Sequence, residues 1–135
     1  MDTASWSSRM LSVLRIVSGL LFLEHGTQKL FAFPPPANPG PALFSLIGFQ
    51  GMLELVGGAL IVIGLFTRPV AFILAGDMAV AYFMAHAPRG FFPTLNGGQL
   101  AILFCFVFLY LSVAGGGVWS VDEQRSSRGR LAPAT

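Results

Sequence analysis

Apolar residues run along the chain in four long stretches broken by turn-forming clusters, and each stretch reads as a helix. The first is helical over about residues 9–33, apolar from Met10 to Leu23 except for Ser12, Arg15 and Ser18, and stopped by Pro34-Pro35-Pro36. A second covers about residues 42–66 and contains Gln50, Glu54 and Gly57-Gly58. Thr67-Arg68-Pro69 then makes a tight turn, with proline at the first position of a third helix over about residues 69–86 that carries Asp77. A loop with Arg89, Phe91, Phe92 and two prolines leads to a fourth helix over about residues 97–114, which Gly115-Gly116-Gly117 ends. Trp6 and Trp119 stand where an indole meets a membrane interface.

Each stretch is close to the roughly 20 residues needed to cross a bilayer. The fold expected is therefore all-α, a four-helix transmembrane bundle of one domain over residues 1–122, with 123–135 a flexible polar tail. Four spans put both termini on one side. That side holds Arg9, Arg68, Arg125, Arg128 and Arg130 against Lys29 and Arg89 on the other, so the positive-inside bias predicts a cytoplasmic N terminus and C terminus.

Composition agrees with this pattern. Of the 135 residues 54% are hydrophobic and 10% charged, whereas soluble domains carry about 25% charged residues. The lipid bilayer is thus the expected surrounding. The net charge of +2 is scattered or in the tail, which argues against nucleic acid. The lone Cys105 sits in an apolar run and excludes both an internal disulfide and a CxxC redox pair.

Ionisable groups inside apolar helices cost several kcal/mol unless they face protein or water, so they mark the candidate chemistry. A rise of about 1.5 Å per residue places Arg15 and Asp77 at similar depth on different helices, which predicts a structural ion pair. Glu54 falls near mid-membrane with no cation assigned at its own depth, and is either a structural acceptor or a proton or ligand site. Glu24, His25, Gln50, His86 and Gln99 gather toward the opposite face. Glu24, His25 and Glu54 are the candidate catalytic groups, since a neutral imidazole donates to a carbonyl oxygen and titrates near neutrality. Gln28, Gln50, His86, Asn96 and Gln99 are the candidate ligand contacts. Lys29 is expected to snorkel to the interface. Neither H-x3-H nor E-x-x-H occurs, so no metal is assigned.

The ordered set Arg15-(x3)-Gly19, His25-Gly26-x-x-Lys29-Leu30-Phe31, Glu54-Leu55-Val56-Gly57-Gly58, Gly64-Leu65-Phe66-Thr67-Arg68, Asn96-Gly97-Gly98-Gln99 and Gly115 through Asp122 resembles the DoxX family. That resemblance implies a small bacterial inner-membrane protein of oxidoreductase type. Some members are the membrane subunit of a thiosulfate:quinone oxidoreductase, and another assembles with a superoxide dismutase and a sulfurtransferase. A quinone cofactor and a soluble or membrane redox partner subunit are the corresponding expectations; the alternatives are a non-enzymatic scaffold and, since four helices make a narrow bundle, a permease that works as a homo-oligomer. Gln99 departs from the family, which commonly has Gly-Gly-Glu there, and an amide cannot carry a net proton.

Overall fold

The structure is a computed structural model and describes residues 2–38 and 44–131. Helix α1 spans Thr3–Phe31, begun by the Asp2 side chain accepting from the Ala4 amide at 3.1 Å and closed by Ala32 in the left-handed conformation. It starts six residues before the expected Arg9, because Asp2 caps what read as a polar lead. Its 29 residues extend about 43 Å, longer than the roughly 30 Å hydrocarbon core. Helix α2 spans Leu46–Ile63. The Ser45 hydroxyl caps it on the Gly48 amide at 3.0 Å, and Gly64 at φ +71° ends it. The expected start near residue 42 lies outside the described residues.

Helix α3 spans Thr67–Ala81 and runs on through a π-turn at Tyr82–His86 and a 3-10 turn at Ala87–Arg89. It begins before Pro69 because the Asp122 carboxylate caps the free amides of Phe66 and Thr67 at 2.9 and 2.8 Å. One helical turn, α4, spans Pro93–Asn96, and α5 spans Gln99–Ala114. Val121–Leu131 forms α6 within the stretch read as a polar tail. Asp122 and Glu123 in its first turn and Arg128 and Arg130 in its last complement the helix dipole.

The long helices close into a ring in which α1 packs on α2, α2 on α3, α3 on α5 and α5 back on α1. Phe22, Ile61, Leu74, Met78, Phe104, Phe108 and Leu111 fill its centre, with Phe22 set edge-on to Phe104 and Phe108. The outside is as apolar as the inside: Phe72 is 65% exposed and Phe106 64%. Water does not tolerate such a surface on every long helix, whereas hydrocarbon does. Among the described residues, three helical segments, Thr3–Phe31, Leu46–Ile63 and Thr67–Arg89, are long and apolar enough to cross a membrane, and Gln99–Ala114 is a shorter apolar helix.

Glycine sets the spacing of α1 and α2. A Cβ on Gly26 would stand 2.5 Å from the Leu55 nitrogen, and one on Gly58 would stand 2.9 Å from the Leu23 Cα. The two backbones therefore touch at both crossings. That contact fixes which residues of α1 face α2 one turn further along.

Candidate functional site

Lys29 follows Gly26 by three residues, so it leaves α1 on the face that meets α2. Gly51 opposite leaves room for its stem, since a Cβ there would lie 3.1 Å from the Lys29 Cβ. The ammonium turns inward rather than toward the interface. It donates to Glu54 Oε1 at 2.7 Å and to Gln50 Oε1 at 3.1 Å, and this is the cation that Glu54 lacked in the sequence reading. Glu54 is 2% exposed, and its Oε2 is buried without a hydrogen-bond partner among the described residues.

Asp77 belongs to the same cluster. Leu74, one turn earlier on α3, packs into the space left by Gly57, one turn after Glu54, and draws the two helices together at this level. Asp77 faces the Gln50 amide and lies within electrostatic range of both Lys29 and Glu54. Its Oδ2 is also buried without a partner among the described residues.

The expected Arg15–Asp77 pair does not form. Asp77 is ten residues into α3, about 15 Å from that helix's start, and the Arg15 side chain leans back toward the start of its own helix. Fully buried, Arg15 donates from Nε to the Gly116 carbonyl at 2.7 Å, from Nη1 to Ile61 at 2.7 Å and to Val62, and from Nη2 to Trp119 at 2.8 Å. The guanidinium thus satisfies carbonyls in the last turn of α2 and in the glycine-rich link before α6. Ser12 joins it by accepting from the Trp119 amide at 3.1 Å. Asp122 lies within electrostatic range and completes the joint.

A cavity of about 400 Å³ opens beside the Lys29–Glu54 pair. His25, Lys29, Gln50, Glu54 and His86 are the polar side chains that line it; Phe22, Met78, Leu100 and Phe104 are among the apolar ones. His25 stands edge-on to Phe104, with ring centroids 6.0 Å apart. His86 reaches it from the π-turn, its Nδ1 3.2 Å from the Asn96 carbonyl. The exposed side chains of Ile47 and Leu100 form the rim.

The remaining sequence candidates lie elsewhere. Glu24, adjacent to His25, points about 100° away around the helix. It is exposed, in a separate groove with Leu20, Leu23, Thr27, Phe33 and Pro34. Gln28 is half-buried and Gln99 is exposed, and neither lines the cavity. Asn96 is buried for a different reason. Its amide nitrogen donates to Gly90 at 2.9 Å and to the Tyr82 hydroxyl at 3.3 Å, while its oxygen accepts from the Gly98 amide at 2.8 Å, which holds the turn between α3 and α5. Lys29, expected at the interface, and Asp77, expected beside Arg15, are the further members of the cluster. The available signal was helical phase, since Lys29 shares a stripe with His25 and an inward Glu54 needed a cation. Among the described residues no group of three or more His, Cys, Asp or Glu side chains is placed to hold a metal ion.

Residues 10–87 match the family model of DoxX. An uncharacterized protein of Haemophilus influenzae is 42% identical over 119 residues, covering 84% of this chain and 89% of its own length. An uncharacterized membrane protein of Mycobacterium tuberculosis is 29% identical over 132 residues, covering 85% of this chain and 80% of its own length. No solved structure matches. A family match across more than half of the chain, with the apolar helices already described, leads to one conclusion: the chain belongs to the DoxX family of multi-pass membrane proteins.

Proposed function

We propose that this protein binds a quinone headgroup in the cavity between α1, α2, α3 and α5, and serves as the membrane subunit of a quinone-linked oxidoreductase in a bacterial plasma membrane, with both termini cytoplasmic. One observation carries the reading. A mostly apolar cavity lined by the aromatic side chains of Phe22 and Phe104 also carries an ammonium (Lys29), an imidazole (His25) and a carboxylate (Glu54) in its lining. A quinone is a flat apolar ring whose polar atoms are carbonyl oxygens in the oxidised form and hydroxyls in the reduced form. Lys29 and His25 are donors for the first, and Glu54 is an acceptor for the second.

The chain supplies binding, orientation and proton-carrying groups; electrons reach the ring from a reduced substrate or from a partner subunit. Purified protein is expected to bind a soluble short-chain quinone saturably, read by quenching of Trp6 and Trp119 or by calorimetry. Absence of saturable binding in folded protein refutes the reading.

A second reading is favoured by α6. Asp122 and Arg15 pin the start of this polar, arginine-bearing helix to the bundle, which presents it as a docking element for a soluble redox partner. Deleting residues 123–135 is then expected to remove a co-purifying protein without loss of membrane insertion. An unchanged set of co-purifying proteins excludes α6 as the docking element.

A further inference from the structure

We propose that Glu54 and Asp77 together hold one proton, which makes the cluster between α1, α2 and α3 an intramembrane proton-binding site. This goes beyond the proposed ligand and does not depend on it.

Charge balance is the starting point. With every group ionised, the cluster contains one ammonium, Lys29, and two carboxylates, a net of minus one inside an apolar bundle. An unbalanced charge in such a medium is so costly that the group takes up a proton instead. Lys29 reaches Glu54 through Oε1 alone, and Glu54 Oε2 and Asp77 Oδ2 remain buried with no partner among the described residues. Those two oxygens are the atoms at which the additional proton sits.

Among the described residues no other cation is within ion-pair distance of Glu54 or Asp77. Arg15 is occupied by the carbonyls of Gly116, Ile61 and Trp119 at the far end of α2. On α1, His25 stands one turn from Lys29, and charging it would set two cations on adjacent turns. His86 has its Nδ1 against the Asn96 carbonyl. The cavity wall from α5, formed by Leu100, Ala101 and Phe104, is apolar. Lys29, Glu54 and Asp77 therefore share their protons as one unit.

Infrared spectroscopy of the full chain in lipid tests this through the carbonyl stretch of a protonated carboxylic acid, which shifts on deuteration. The measurement is made on Glu24→Gln protein, which removes the remaining carboxylate of the candidate membrane helices, across about pH 5 to 9. One acid band is expected. Glu54→Gln and Asp77→Asn should each abolish it, because the carboxylate left behind then pairs with Lys29 alone. Lys29→Met should roughly double its intensity. A band that survives either carboxylate substitution overturns the proposal. So does the absence of a band in the unsubstituted cluster, which would mean that a bound cation or a charged His25 supplies the balance.

Discussion

Lys29 Nζ stands 2.7 Å from Glu54 Oε1, joining α1 to α2 through an ion pair whose carboxylate side chain is 3% exposed and whose lysine is 25% exposed. At such a site each charge depends on the other: without Lys29 the Glu54 carboxyl stays buried only by taking up a proton, which costs free energy at neutral pH. Lys29→Met is expected to destabilise the bundle by about 3 kcal/mol at neutral pH. The double variant Lys29→Met, Glu54→Gln should recover part of that loss. Denaturant titration in detergent micelles, run as a double-mutant cycle, measures the coupling, and strict additivity would show that the two side chains do not interact.

The Gly26 contact is the hinge on which this pair depends. Gly26→Leu forces α1 away from the Leu55 backbone, and overpacking of this kind costs about 1–3 kcal/mol. Any quinone bound in the cavity should be lost with it. Gly76 is the control. A Cβ there meets nothing within 4 Å, so Gly76→Ala should stabilise the helix by about 0.5–1 kcal/mol and leave the cavity intact. Thermal unfolding of the two variants side by side separates crowding from helix propensity.

Arg15 and Asp77 should behave as strangers. Arg15→Met strands carbonyls of α2 and of the glycine-rich link and is expected to cost at least about 3 kcal/mol. Arg15→Lys should rescue only part of it, since an ammonium cannot reproduce the planar fork. Asp77→Asn should change stability by about 1 kcal/mol or less. Equal losses for Arg15→Met and Asp77→Asn would restore the ion pair that the sequence suggested.

The α6 joint carries a pH dependence. Burial pushes the Asp122 carboxyl up, but the amides of Thr67 and Phe66 and the Arg125 guanidinium outweigh it and hold the group below the usual carboxylate range. A pKa lowered by folding means that the stabilisation is complete above the unfolded value of about 3.9 and is lost as pH falls from there through the folded value. Asp122→Asn should therefore lower Tm at neutral pH, and the gap to the unsubstituted protein should close below about pH 4. A gap independent of pH would mean that the carboxylate's charge contributes nothing.

Within the cavity, His25→Ala is expected to weaken quinone binding about tenfold, the worth of one hydrogen bond of about 1.4 kcal/mol. Glu24→Ala should leave the affinity unchanged, because Glu24 faces the separate groove beside Phe33 and Pro34. Calorimetry on both variants distinguishes two neighbours in sequence that the helix sends to different sides.

Much of the fold was legible in the residues themselves. Runs of apolar side chains between proline and glycine clusters determine where helices lie and that hydrocarbon surrounds them, because backbone hydrogen bonds must be satisfied within each span and the exposed surface must match its solvent. Caps were less legible. Asp2 and Asp122 moved the starts of α1 and α3, and Asp122 acts from more than fifty residues away.

The partners of the buried charges were decided only by the tertiary structure. Depth along a helix can be counted from the sequence, but azimuth and helix-to-helix register cannot. Close approach at Gly26 and Gly58 sets that register and turns Lys29 onto Glu54, while packing of Leu74 against Gly57 brings Asp77 to the same cluster. Arg15 was left to the carbonyls of a helix end that only the assembled bundle places within its reach.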